Sequence, residues 1–216
     1  MAATLAQMRN RIANNADRDI TTVRGTVTEG DLIDQAIVAA IKFYEKRATF
    51  WFLETNTTSL ILATDERSII LPSDFNKLIR FRVKVNNRWL TDGSGLELKT
   101  AAELKSIDTD DNVSGQPSLY AIYGDDLKVY PKAADMYSTD LDYYKKDTAY
   151  PSSDGDTSVL MGDNSEDLIF YEGLARFWGD SLQDDEKRAI YSTLANNEYT
   201  NLIRANNSQQ YYYRTS

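Results

Sequence analysis

The sequence predicts an α+β protein in which N- and C-terminal helices form one helical bundle, with an antiparallel β domain inserted between them. Apolar residues recur at helical spacing near both ends of the chain. Short β-prone runs that alternate apolar and polar residues occupy the middle. Because neither helical end is long enough to form its own domain, packing the two ends together is the economical arrangement.

Two helices are predicted in the N-terminal part of the chain. Thr4 and Gln7 have capping-box spacing, and an apolar stripe follows them. An extended connection over residues 20–27 leads to a second helix, for which Thr28 is the predicted N-cap. That helix is apolar on two sides, so we expect neighbours on both, either in the bundle or in another subunit.

The β domain is predicted over residues 55–146, as a small antiparallel sheet or sandwich. Asn86-Asn87 and Gly124-Asp125 indicate hairpin turns. Alternation in residues 77–85 predicts a strand with one buried face. The residues on that face are Ile79, Phe81, Val83 and Val85.

The C-terminal part predicts a loop, two helices and a tail. Residues 147–163 are rich in Asp, Ser and Gly and form the predicted loop. A helix capped by Ser165 follows, and the last helix is predicted to run from Glu186 to Ala205. The bundle thus comprises residues 1–54 and 164–205. Residues 206–216 have no core-forming pattern and are predicted to be a flexible tail.

The absence of His and Cys excludes the commonest catalytic chemistries. It removes thiol nucleophiles, histidine bases, disulfides and the usual zinc sites. Carboxylate pairs such as Asp125/Asp126, Asp110/Asp111 and Asp184/Asp185 lie in turn-like sequence, where solvated side chains are the usual case. We therefore predict no enzyme activity, no catalytic residue and no cofactor.

One loop resembles a metal site in composition alone. Asp154, Asp156 and Asp163 give it a loose likeness to a calcium loop, but their spacing lacks the order of an EF-hand. Gly93-Ser94-Gly95 lacks the lysine and the flanking pattern of a phosphate-binding loop. We predict no metal site.

Charge and hydropathy limit the partners. The net charge is −9, whereas proteins that bind nucleic acid tightly are usually basic, so we expect only transient, non-specific passage of DNA.

No apolar run approaches the ~18 residues of a membrane span, and the N-terminus lacks a signal-peptide core, so we expect synthesis in a host cytoplasm. The 14 Tyr and 3 Trp residues suit strands and cores, and also protein interfaces.

Several segments resemble head–tail adaptor (connector) proteins of short-tailed bacteriophages. They span most of the chain in the order of that family. The segments are TLAQMRNRIA at residues 4–13, AIKFYEKR at 40–47 with FWF at 50–52, LPSDF at 71–75, GQPSLYAI at 115–122, LKVYP at 127–131 and LIFYEGLA at 168–175.

This resemblance implies a structural virion protein at the head–tail junction. About twelve copies would form a closed ring beneath the portal, with genomic DNA passing through the middle and tail proteins, nozzle or fibre, docking below. Aromatic residues near the end of the second helix suit the contacts between subunits. The predicted subunit-interface residues are Phe43, Arg47, Phe50 and Trp51.

The resemblance also gives the C-terminal tail a role in portal binding. Consecutive tyrosines in a polar terminus suit a segment that orders on a partner, with aromatic anchors. An incidental sticky end is the alternative reading. The predicted portal-binding residues are Gln209, Gln210, Tyr211, Tyr212, Tyr213 and Arg214.

A second function class stays open at this point. The sheet and its carboxylates would suit a glycan-binding or hydrolytic tail component. Binding of a soluble glycan would favour that class, whereas a ring or co-purification with a portal would favour the adaptor.

Overall fold

The computed structural model describes residues 2–47, 49–107 and 113–215, the last of these for the backbone alone from residue 209 onward. The chain is an α+β protein, as predicted. It divides into two compact units. Met1–Leu53 and Asp147–Ser216 form the helical unit, and Glu54–Lys146 forms the β unit.

The helices and strands of the described ranges are as follows. The α-helices are α1 (Leu5–Ala16), α2 (Glu29–Arg47), α3 (Ala101–Ile107), α4 (Glu166–Arg176) and α5 (Asp185–Thr215). The strands are β1 (Val23–Arg24), β2 (Val27–Thr28), β3 (Glu54–Thr57), β4 (Ile61–Leu62), β5 (Ser68–Ile70), β6 (Phe75–Val85), β7 (Arg88–Leu90), β8 (Glu97–Leu98), β9 (Ser114–Gly115), β10 (Leu119–Tyr123), β11 (Asp126–Tyr130), β12 (Lys132–Ala133) and β13 (Tyr137–Lys145). No described helix combines the length and the apolar character that a membrane span requires.

Side-chain caps start the first two helices where the sequence predicts them. The main-chain N–H of Gln7 donates to the Thr4 hydroxyl, and Gln7 in return accepts from the N–H of Thr4. Thr28 and Asp31 make the same reciprocal pair at the start of α2. Ser165 differs from the prediction, because its hydroxyl donates to the carbonyl of Leu160 instead of capping α4.

The core of the helical unit lies where α1, α2 and α4 meet. Ile12 and Ile37 are fully buried there. A Cβ atom on Gly173 would lie 2.9 Å from Cδ1 of Ile12, so the absence of that atom allows α4 to approach α1 closely. A turn of π-helix, Phe177–Ser181, links α4 to Leu182 and to α5.

The last helix is longer than the sequence predicts. α5 runs to Thr215, past the predicted end at Ala205, so the backbone of the predicted tail is helical. Asn206 is buried within the helical unit. Its packing and hydrogen bonds are tertiary interactions, which a search for apolar periodicity does not detect.

Two sheets of the β unit share one apolar core. One has the strand order β3-β13-β6-β7, with β4 also paired to β13, and the other has the order β5-β11-β10-β8. The predicted hairpins at Asn86-Asn87 and Gly124-Asp125 join β6 to β7 and β10 to β11. The unit is not wholly antiparallel as predicted, because β8 runs parallel to β10 and β9 runs parallel to β12.

The buried face of β6 differs from the prediction because the strand contains a β-bulge. Phe81 and Val83 are buried as predicted, but Ile79 is 41% exposed. Asp142 pairs with Arg80 and the next residue of β13 pairs with Leu78, so Ile79 has no partner in the ladder. The bulge reverses the alternation, and Leu78 packs against the core in place of Ile79.

Candidate functional site on the helical unit

A cluster of exposed and half-buried aromatic and arginine side chains lies on α2, α4 and α5. Phe43 and Arg47 are one turn apart on α2. The Arg47 guanidinium carbon lies 5.4 Å from the centre of the Phe43 ring and 4.8 Å from that of Tyr199. The Arg176 guanidinium carbon lies 5.2 Å from the Phe43 ring. We call these four residues the arginine–aromatic surface.

The two arginines of this surface differ in their ion pairing. Arg176 pairs with Glu172 at 2.8 Å. Arg47 is exposed and has no carboxylate partner within the described ranges. Guanidinium groups stacked on aromatic rings are enriched among the residues that dominate protein interfaces. The Arg47 guanidinium is thus positioned to donate hydrogen bonds to a carboxylate.

A buried tyrosine supports the surface from beneath. The Tyr44 ring stacks on Tyr199 with centroids 5.7 Å apart and meets Phe43 edge-on at 5.0 Å. Its hydroxyl donates to a Glu172 carboxylate oxygen at 3.5 Å. Burial, with the Glu172 charge, raises the pKa of the Tyr44 hydroxyl, so this group stays a protonated donor. The buried Tyr44 side chain therefore holds the rings of Phe43 and Tyr199 in place.

The segment after α2 is held against α5 by Asn206. The main-chain N–H of Trp51 donates to Oδ1 of Asn206 at 2.8 Å. Nδ2 of Asn206 donates to the carbonyl of Thr49 at 3.2 Å. Between these residues, the fully buried Phe50 ring stacks on Phe52 at 5.1 Å.

Comparison with known families decides the class of protein. The model of a family described as SU10 adaptor protein matches residues 3–215. The chain belongs to the SU10 adaptor protein family. Among curated proteins, none matches this adaptor.

Membership confirms the predicted resemblance to bacteriophage adaptors. The adaptor is therefore a structural protein of the virion, in a family that implies interaction with the portal and tail components of a phage. The family match covers residues 3–215 and is not confined to any single motif.

The predicted subunit-interface residues of the adaptor have different surroundings. Phe43 and Arg47 belong to the exposed arginine–aromatic surface, and Trp51 is half-buried. Phe50 is enclosed in its own subunit, which leaves its ring no surface for a partner. Sequence reasoning missed Arg176 and Tyr199, although Tyr199 follows the buried Ala195 at helical spacing on α5.

The predicted portal-binding residues lie on the last turns of α5. Their backbone is helical, and their side chains lie outside the described part of the structure. Their role therefore stays a prediction. The residues are Gln209, Gln210, Tyr211, Tyr212, Tyr213 and Arg214.

The carboxylates Asp154 and Asp156, in the loop predicted over residues 147–163, make ion pairs and hydrogen bonds within the chain. Asp154 pairs with Arg9 at 2.9 Å. Asp156 accepts the N–H groups of Ser152 and Ser153 at 2.8 and 2.9 Å, and these bonds lower the pKa of its carboxyl to about 2. Within the described ranges, no group of three or more acidic residues is arranged to hold a metal ion.

The sheet carboxylates are likewise paired. Arg80 donates through Nε to Asp142 at 2.8 Å, and Arg82 donates to the buried Asp140. Nδ2 of Asn56 donates to both carboxylates. Asp142 lines an open groove of about 830 Å³ in the β unit. Ion pairs with arginine thus hold Asp142, which lines the groove beside Glu54 and Asp92, and the buried Asp140.

Proposed function

We propose that this adaptor forms a closed ring of about twelve copies beneath the portal, links the portal to the tail and extends the DNA channel. The match to the SU10 adaptor family over residues 3–215 carries the proposal. In this proposal Met1–Leu53 and Asp147–Ser216 form the ring, and Glu54–Lys146 is the inserted β domain.

The arginine–aromatic surface supports contacts between subunits. A closed ring needs two different faces on each copy, because each subunit contacts its neighbours head to tail. Arg47 and Phe43 supply one such face, with the Arg47 guanidinium over two rings. The acidic balance of the chain supplies carboxylates for the facing surface on the next copy.

The length of α5 supports contact with the portal. α5 has 31 residues and a helix rises about 1.5 Å per residue, so its C-terminal end lies far from its N-terminal end. Residues 207 and 208 are exposed, and the predicted portal-binding residues follow them. Their tyrosines would bury their rings between portal subunits, as aromatic anchors do in many interfaces.

The net charge of −9 supports a channel through which DNA passes without being bound tightly. Repeated acidic subunits repel phosphates, so duplex slides without binding. Tight duplex binding by the isolated protein at physiological salt would contradict this part of the proposal.

Electron microscopy of the purified protein, alone and mixed with the portal of the same phage, tests the proposal. We expect rings of the adaptor coaxial with the portal, with a central opening wide enough for duplex DNA. A protein that stays monomeric beside the portal at all concentrations would contradict it, and binding of a soluble glycan would favour the alternative of a glycan-binding or hydrolytic tail component.

A further inference from the structure

A groove of about 350 Å³ lies beside α2 in the helical unit. Leu5 lines it from the start of α1, and Pro151 lines it from the loop that precedes α4. Val38 and Ala39, both half-buried, line it from α2 itself. Four of the lining residues are therefore apolar, and the aliphatic side chains of a partner can be buried against them.

This groove faces away from the core of the helical unit. The core side of α2 is marked by Ile37, which is fully buried and would lie 3.7 Å from a Cβ atom on Gly173 of α4. Ala39 and Lys42, which line the groove, are rotated from Ile37 by roughly 140–200° around the helix axis. The groove therefore opens on the outer side of α2.

The outer side of α5 carries two exposed aliphatic side chains. Ile190 is 53% exposed and Leu194 is 37% exposed. The inner side of the same helix is marked by Ala195 and Leu202, which are buried. Residues four positions apart are neighbours on one side of a helix, so Ile190 and Leu194 form a ridge. We call this pair the α5 ridge.

The groove and the α5 ridge lie on different sides of the helical unit. α4 packs against both α2 and α5. The direct contact between α2 and α5 centres on Tyr199, whose ring meets those of Tyr44 and the Arg47 guanidinium. Each of the two helices therefore turns its outer side away from α4 in its own direction. A head-to-tail ring requires two different, complementary faces of this kind on every subunit.

We propose that the α5 ridge of one subunit inserts into the α2 groove of the next subunit in the ring, and this inference rests on the proposed function. A cavity of about 150 Å³ holds a benzene molecule, so a groove of about 350 Å³ has room for two branched side chains. A helix that presents apolar residues at i and i+4 is a common occupant of an apolar groove. Phe43 lies one turn beyond Ala39, so the groove extends the arginine–aromatic surface along α2.

Two charged residues line the groove, and they differ in their partners. Asp34 accepts two hydrogen bonds of 2.7 Å from Arg9 of the same subunit. The Lys42 ammonium lies 4.6 Å from the centre of the Tyr150 ring, a contact that leaves its positive charge in place. Lys42 is therefore the lining residue that a carboxylate of the occupant would meet.

The α5 ridge brings such a carboxylate with it. Glu186 is exposed and lies one turn before Ile190 on the same helix. The neighbouring cations are engaged within their own subunit, Lys187 over an aromatic ring at 3.7 Å and Arg188 with a carboxylate at 3.6 Å. One chain thus supplies both the apolar and the charged complement of its own groove, which favours a second copy over an unrelated protein.

Disulfide cross-linking tests the contact directly, because the chain contains no cysteine of its own. Ala39→Cys with Leu194→Cys places one thiol in the groove and one on the ridge of every full-length subunit. Oxidation should then give a ladder of covalent oligomers, since each ridge occupies the groove of the next copy. Ala39→Cys with Asn196→Cys is the matched control and should give no ladder, because Asn196 is exposed on the opposite side of α5 from Leu194.

Lysine substitutions test the energetic role of the ridge. Ile190→Lys with Leu194→Lys should weaken ring formation about tenfold or more, because two apolar side chains no longer gain burial. Analytical ultracentrifugation without the portal measures assembly, and circular dichroism of the monomer shows whether the variant is folded. Ile70→Lys, at a residue 76% exposed on the β unit, is the control and should assemble like the wild type.

A charge exchange tests the pairing of Lys42 with Glu186. Lys42→Glu and Glu186→Lys should each weaken assembly, because each places two like charges together at the contact. The double variant restores opposite charges and should assemble better than either single variant. Double and single variants that assemble equally would contradict this pairing.

Five outcomes decide the matter. A ladder from the groove–ridge cysteine pair, absent from its control pair, supports the inference. Rings that give no ladder and form unchanged with the lysine ridge overturn it and leave the proposed function standing. Cross-linking that stops at dimers indicates a two-fold contact and also overturns it. A lysine ridge that keeps the rings but loses the portal or a tail protein would make that protein the partner, against the proposal. Absence of wild-type rings, alone and on the portal, would refute the proposed function, and the inference with it.

Discussion

The Asn206 side chain accepts a hydrogen bond from the main-chain N–H of Trp51 at 2.8 Å. The same side chain donates to Thr49, so it bridges the main chain on both sides of Phe50. These two bonds fix the segment that leaves α2 against the distal half of α5. A residue assigned by sequence to a flexible tail thus stabilises the helical unit.

Asn206→Ala should lower the free energy of unfolding by about 1–3 kcal/mol, because it leaves the part-buried N–H of Trp51 without its partner. Urea denaturation followed by circular dichroism measures the change. Asn207→Ala, at an exposed neighbour, is the control and should change stability by less than about 0.5 kcal/mol. Equal effects of the two substitutions would contradict the bridging role.

Deletion of residues 207–216 should leave the thermal stability of the monomer close to that of the wild type, since Asn206 is kept. The same deletion should abolish or severely weaken attachment to the portal, because it removes every predicted aromatic anchor. Deletion of 206–216 should also lower stability, which makes it the matched comparison. A chain lacking 207–216 that bound the portal with unchanged affinity would refute this role of the tail.

Arg47→Ala should weaken ring formation about tenfold or more, because arginine on aromatic rings is a frequent interface anchor. Unfolding of the monomer should change little, since Arg47 is exposed and has no ion pair in the described ranges. Analytical ultracentrifugation of portal-free protein over a range of concentrations measures assembly. Lys46→Ala on the same helix turn is the control, and assembly equal in both variants would be evidence against the surface.

Asp140→Ala should destabilise the β unit by about 1.5–3 kcal/mol, because Arg82 then loses a charge-assisted hydrogen bond beneath the surface. The double variant Asp140→Leu with Arg82→Met should cost less, since it removes both charges together. Urea denaturation distinguishes the two cases. If instead the single substitution left stability unchanged and abolished binding of a glycan, the sheet carboxylates would have a role in recognition.

The Asp156 carboxyl should titrate near pH 2, below its ordinary pKa of 3.8. A depressed pKa in the folded state means that the carboxylate contributes stability above the ordinary pKa. That contribution is lost as pH falls through the folded value near 2. The protection of the Ser152 and Ser153 amides, measured by NMR relative to the intrinsic exchange rate at each pH, should therefore fall over this range. Protection of these two amides that stayed constant down to pH 2 and below would contradict the assignment.

The β unit shows where local prediction succeeds and where it fails. Asn86 and Asn87 both adopt positive φ, which Asn tolerates better than most residues, so the hairpin between β6 and β7 was predictable from the two residues alone. The exposure of Ile79 could not be predicted in this way, because the bulge depends on how β6 pairs with β13. Alternation along one strand carries no information about the partner's register.

The sequence by itself determined the α+β class, the capped starts of α1 and α2, the hairpin turns, the exclusion of His and Cys chemistry, and the likeness to phage adaptors. These features depend on residue identity or on neighbours within a few positions. Only the tertiary structure decided that Phe50 is enclosed in its own subunit, that α5 continues past Ala205 and that Asn206 joins it to the segment after α2. Each of these depends on contacts between residues far apart in the chain, which local periodicity cannot report.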